Sequence, residues 1–146
     1  MIKTILFTIA FLLIATPVGA QGTPEEAKNL ALEAVTKIHR EGTEKALVEF
    51  NSDPAWKDRD LYVVVIDDRG VCNANANVPS MTGMALRDLK DIDGKPFVQD
   101  IINVRDTDWV EYKWLNPVTK KISTKKAYVI RVGERVVFVG IYPTVK

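Results

Sequence analysis

The sequence predicts an α+β domain: a five-stranded antiparallel sheet with an N-terminal helix and helices inserted between strands two and three. Three observations predict it. Apolar residues recur at helical spacing from Ala27 to Ile38, strand-like runs occupy Leu61 to Asn75 and the last forty residues, and a mixed segment, Pro79 to Arg105, separates those runs.

The elements follow in order. Thr23, Pro24 and Glu26 stand as N-cap, first helical residue and capping-box acid. Ala27, Leu30, Ala31, Ala34, Val35 and Ile38 then mark one face of a helix that Gly42 ends. Thr43 caps a second, shorter helix whose face is Ala46, Leu47 and Phe50, and Asn51-Ser52-Asp53-Pro54 breaks it. The run LYVVVI at 61–66 is β-branched and nearly continuous, as in a strand buried on both faces, and Asp67 to Gly70 turn it into VCNAN. In the mixed segment Leu86 and Leu89 suggest one short helix, Asp93-Gly94 a turn, and Phe97, Ile101, Ile102 and Val104 another helical stretch.

Val110, Tyr112 and Trp114 alternate with Glu111 and Lys113, so the apolar set shares one strand face. After the Asn116-Pro117 turn, AYVIRV and RVVFVGIY are joined by Gly133-Glu134, with glycine first as a type II′ hairpin requires. A sheet of this kind, covered on one face, leaves a pocket between its inner surface and the segment from Asn73 to Arg105.

Residues 1–20 read as a secretory leader: Lys3, an apolar run from Ile5 to Ala15, and a cleavage site after Ala20. Position 21 is Gln, not the Cys of a lipoprotein, and the apolar run is shorter than the ~20 residues a membrane span needs. The mature domain is therefore expected at 21–146, periplasmic or secreted, with no membrane insertion after the leader is removed. Losing residues 1–20 removes only Lys3 of the 20 basic residues and leaves the 19 acidic ones, so the domain is near neutral. That balance excludes a nucleic-acid binder. Cys72 is the only cysteine, so no intrachain disulfide and no CxxC chemistry exist. With His39 alone and no HExxH, GxSxG or phosphate loop, neither an enzyme nor a cofactor is expected.

Several pieces taken together resemble the single Cache domains of the second subtype, sensor modules with a PAS-like fold. They are EKALVEFN at 44–51, DLYVVVID at 60–67, PSMTGMALRDLKDIDGKPFV at 79–98, WVEYKW at 109–114, NP at 116–117, KKAYVIRV at 125–132 and VGIY at 139–142. The resemblance implies a sensory, signal-transducing domain that binds a small polar metabolite, often a carboxylate, outside the cell membrane. A membrane receptor or sensor kinase is the implied partner, because the chain ends at Lys146 without a second apolar segment. The alternative is a docking module for an envelope protein, with a vestigial pocket. Relatives often carry His where Asn75 stands, and a glycine-rich segment where this chain has DTD at 106–108.

The candidate ligand contacts are Tyr112, Trp114, Lys125, Tyr128 and Asn75. Tyr112, Trp114 and Tyr128 offer rings with polar tips, which serve either a core or a guest. Lys125 matches the lysine three residues before the Tyr of the AYV motif and would hold a carboxylate as a point charge. Strand parity instead sets Lys126 on the face of Tyr128, a conflict that a bulge before Tyr128 would remove. A solvated lysine beside Lys120 and Lys121 is the other reading. Asn73, Asn75 and Asn77 alternate and could present amides to one side, although Asn is also a common turn residue.

Overall fold

The computed structural model describes residues 20–144. The expected leader, apart from Ala20, lies outside the described residues. Helix α1 (Pro24–Glu41) begins with the full capping box, Thr23 Oγ1 accepting from the Glu26 amide while the Glu26 carboxylate accepts from the Thr23 amide. Helix α2 (Thr43–Ser52) follows at once. Its N-cap is Gly42 and carries no side-chain bond, so Thr43 is the first helical residue and not the cap the sequence suggested.

The run at 61–66 divides. Strand β1 (Lys57–Asp58) pairs with β2 (Leu61–Tyr62) in a separate two-stranded ribbon. Strand β3 (Val64–Asp67) instead joins the main sheet with β4 (Cys72–Asn75), β5 (Thr107–Leu115), β6 (Ile122–Val132) and β7 (Arg135–Ile141). The main sheet has the order β4-β3-β7-β6-β5, every neighbouring pair antiparallel. Gly133, at φ 58°, makes the β6–β7 turn with Glu134 at negative φ, as the type II′ expectation requires.

Both faces of this sheet are buried, against the single covered face expected from the sequence. Val63, Val65, Val137, Val139 and Ile141 meet Ala27, Ala31 and Ala34 of α1 and Phe50 of α2. The alanines let α1 lie close on the strands. On the other face Tyr62, Val64, Ile66, Val129, Val136 and Phe138 lie under Leu86 and helix α3 (Phe97–Ile102). Runs such as VVFVGI supply apolar residues to both parities, and that composition belongs to a doubly covered sheet.

Residues around Leu86 and Leu89 form turns, not the expected helix. Their backbone is engaged elsewhere. The Cys72 amide donates to the Met84 carbonyl (3.0 Å), the Gly83 amide to the Cys72 carbonyl (2.7 Å), and Val71 bridges Ala85. The free edge of β4 thus finds its partner in this segment, and leucine spacing loses to edge pairing.

Helices α1 and α2 are tied at their junction by Lys37, 8 % exposed, which bonds Glu41 at 3.0 Å and also reaches Glu49. Hydrogen bonds from Arg40 and Lys37 lower the Glu41 carboxyl from 4.5 to about 2. A folded value below the unfolded one gives stability that is complete above pH 4.5 and is lost as pH falls toward 2. Thermal melts of wild type and Glu41→Gln should accordingly differ at pH 6 and converge near pH 2; a pH-independent difference would show that the ion network contributes nothing.

Candidate functional site

The pairing register of the long strands builds the site. Tyr112 of β5 stands opposite Lys125 of β6. The last β6–β7 pair is Lys126 with Ile141, so Tyr142 comes beside Lys125 one step further on. Lys125 is 1 % exposed, and its Nζ donates to the Tyr62 hydroxyl at 2.8 Å. The same nitrogen stands 4.0, 5.5 and 5.9 Å from the ring centroids of Tyr62, Tyr142 and Tyr112. The Tyr62 and Tyr142 hydroxyls are 3.5 Å apart, and Tyr142 donates to the Leu115 carbonyl at 2.9 Å. Among the described residues no carboxylate pairs with Lys125.

A buried ammonium without a counter-ion is costly, and one hydroxyl and three ring faces offset that cost only in part. The position is also sterically demanding. A Cβ on Gly140 would lie 2.1 Å from Lys125 Cε, so glycine at 140 is what lets the lysine stem cross the strand. Burial pushes the phenols of Tyr112 and Tyr142 well up, and both stay neutral.

The inserted segment closes over these groups. Phe97 stacks on Tyr112 with centroids 4.2 Å apart and an 11° tilt, and Trp114 stands 5.3 Å from Phe97. Asn75 and Met81 complete the rim. With these rings packed together the cavity among them is about 30 Å³, room for a water or two. The cover is fastened at both sheet edges. Residues 83–86 hold β4 as described, and on the far side Asp91 accepts from the Lys113 amide of β5 (2.9 Å) and from the Lys95 amide of its own turn (2.9 Å).

Of the five residues singled out from the sequence, Tyr112, Trp114, Lys125 and Asn75 meet at this cavity. Tyr128 does not. It lies on the opposite face of β6, 5.1 Å from Trp109 and under Lys28 of α1 (5.7 Å). The β5–β6 register is unbroken from Thr107–Ile130 to Leu115–Ile122, so no bulge reverses the parity. The conflict over Lys125 and Lys126 disappears once Tyr128 is removed from the pocket: Lys125 points inward and Lys126 pairs with Glu111 at 3.4 Å.

The three asparagines do not share one side. A bulge between Val65 and Ile66 of β3 leaves Asn73 of β4 unpaired, and its Oδ1 accepts from Arg135 Nε at 2.9 Å. Asn77 binds Lys57 (2.6 Å). Asn75 Oδ1 accepts from the Asn77 and Val78 amides (3.0 and 2.9 Å), while its Nδ2 approaches Met81 Sδ at 3.5 Å. Its oxygen is committed to a turn, and only the amide nitrogen faces the cavity rim.

The sequence reading passed over Tyr62, Phe97 and Tyr142 as site residues. For the two tyrosines alternation held the signal: Tyr62, Val64 and Ile66 share one parity, as do Val136, Phe138, Gly140 and Tyr142. Cys72 is 1 % exposed, burial pushes its thiol up to about 11, and it lies in the core. His39 sits on the exposed side of the last turn of α1.

A helix-backed antiparallel sheet with a looped cover over its other face is the architecture of PAS-like sensor modules. The sequence profile of the family described as Single Cache domain 2 matches residues 18–142, and the chain belongs to that family. Cache domains are sensory modules. Three solved structures share the fold. A methyl-accepting chemotaxis protein from Vibrio parahaemolyticus has 21 % identity and a TM-score of 0.65, over 81 % of this chain and 86 % of that one. A periplasmic sensor domain of a chemotaxis protein has 21 % identity and a TM-score of 0.62, over 82 % and 90 %. A Cache chemosensory domain described for its recognition of a carboxylic acid has 18 % identity and a TM-score of 0.61, over 82 % and 88 %. At these identities the likeness is one of fold. No curated protein matches the sequence significantly. Among the described residues no helix is long and apolar enough to cross a membrane.

Two outcomes follow from this packing. Gly140→Ala should cost about 1–3 kcal/mol in denaturant unfolding, the range for overpacking a filled core, and an unchanged midpoint would show that Lys125 does not lie across this strand. Cys72 should resist thiol-labelling reagents at pH 8 in the native state and react on unfolding, and rapid native labelling would contradict its burial.

Proposed function

We propose that this protein is an exported sensory domain whose cavity takes a small organic anion, with Lys125 as its counter-ion. One observation carries the reading: an ammonium 1 % exposed that no carboxylate of the described chain neutralises. A guest carboxylate would supply the missing charge. Tyr62 and Tyr112 would meet it with neutral hydroxyls, Asn75 would add an amide N–H at the rim, and Phe97 and Trp114 would pack on the guest's carbon chain. A single cation within apolar walls suits a short monocarboxylate, since a second carboxylate would be buried unpaired. The carboxylic acid recognised by one structural relative is in keeping with this chemistry.

Residues 1–20 act in this reading as an export leader, and the mature domain works in the periplasm or outside the cell, where a membrane receptor or sensor kinase would read its state. The cavity of about 30 Å³ does not admit even a small acid as it stands, so the guest enters by displacing Trp114 and the 79–96 cover. That same closure favours a second reading, a docking module whose pocket is vestigial.

A thermal-shift titration with acetate, propionate, butyrate and pyruvate separates the two. On the first reading at least one acid stabilises the domain progressively, by about 2.7 kcal/mol at a hundred times its Kd. Lys125→Met should then melt at or above the wild-type temperature without ligand, because an apolar chain replaces an unpaired buried charge, and it should lose the response. Absence of any shift in the wild type, with receptor capture intact in Lys125→Met, would leave the docking reading standing instead.

A further inference from the structure

A second buried ionisable side chain stands just before strand β2. Asp60 is 1 % exposed; its Oδ1 accepts from the Gly22 amide at 2.8 Å, and its Oδ2 is a buried side-chain oxygen without a hydrogen-bond partner among the described residues. The neighbouring Arg59 does not serve it. That guanidinium is bound to Asp58, Glu26 and the Ala20 carbonyl, at 2.8, 2.7 and 2.7 Å. A small cavity of about 50 Å³ lies against Asp60, walled by Ala20, Gln21, Asn116 and Thr119. Asn116 Oδ1 is already used by the Val118 and Thr119 amides. A buried carboxylate oxygen that receives no hydrogen bond costs the full desolvation of that atom.

The chain itself holds a donor that carries no charge in the unprocessed sequence. The Gln21 nitrogen is one peptide repeat, at most about 3.8 Å, from the Gly22 nitrogen that already bonds Asp60. In the precursor it is an amide. Cleavage after Ala20 would turn it into an α-ammonium beside the cavity. We propose that Asp60 Oδ2 is the acceptor for the α-ammonium created at Gln21 when the leader is removed, so that processing completes an ion pair at the start of α1. This rests on the leader reading above. Cleavage also takes the Ala20 carbonyl from Arg59, which keeps Glu26 and Asp58. Close packing supports a fixed position: a Cβ on Gly22 would lie 2.5 Å from Leu61 Cδ2.

N-terminal glutamine offers a specific way to remove that charge. In cyclisation to pyroglutamate the α-nitrogen attacks the side-chain amide carbon, a C–N bond forms, and ammonia leaves; no lysine is touched. The full chain is exported from a secreting host and purified, and intact mass identifies its first residue. Glutaminyl cyclase then treats one half while unfolded, and both halves are refolded and melted, with Asp60→Asn handled in parallel.

The free-amine protein should melt higher than its cyclised form by roughly 3 °C or more, and Asp60→Asn should abolish that gap. Native Asp60→Asn should also lose ammonia spontaneously faster than the native wild type, because its amine is no longer held. Equal melting of the two wild-type forms, or a gap that survives in Asp60→Asn, overturns the pairing. A mature mass that begins at another residue overturns the leader reading, and with it the proposal, on separate grounds.

Discussion

A cation buried with no acid to hold it is the constraint around which this domain is arranged. Lys125 crosses β6 toward the interior only because residue 140 lacks a side chain, and it remains there because Tyr62 gives it a hydroxyl and a ring face. A second buried ionisable group, Asp60, stands just before Leu61 of β2, and its Oδ2 has no hydrogen-bond partner among the described residues. Neither group has a formal partner among the described side chains, and each tolerates burial through groups that hydrogen-bond without ionising.

The rest of the fold supplies the rigidity that such an arrangement needs. Helices α1 and α2 seal one face of the sheet with alanines and Phe50, and the other face is closed by a segment with little regular structure of its own. The division of labour is physical. The helix side is small-residue packing that resists displacement, whereas the cover is fixed by a few backbone bonds at the β4 edge and by Asp91 at the β5 edge.

Much of the fold was legible because its signals are local. The capping box of α1, the GE turn between β6 and β7 and the alternation of Val110, Tyr112 and Trp114 are each written within a few residues, and the structure contains each of them. The errors arose where long-range pairing decides. Leu86 and Leu89 have helical spacing, yet an unpaired β4 edge takes up their backbone. Tyr128 was grouped with Tyr112 and Trp114 as a ring on the neighbouring strand, although it shares its parity with Lys126 and not with Lys125. Trusting the two-residue period would have resolved the matter and also revealed Tyr142, two positions after Gly140 on the same face. The separate β1–β2 ribbon is a short local hairpin, continued by Val63 donating to the Trp56 carbonyl, and no strand-like run announces it.

The cover over the cavity bonds the outer edge of β4 at Cys72, while Asn51 of α2 holds the neighbouring Asn73 carbonyl and Asn75 amide. Lifting the cover frees the Cys72 amide and carbonyl beside a hydrophobic sheet, a surface on which separate molecules can assemble edge to edge. A state open enough to admit a guest would therefore be more aggregation-prone than the closed one. A compound that holds the cover down protects solubility as well as occupying a site, and that places a limit on how loosely the segment can be fastened.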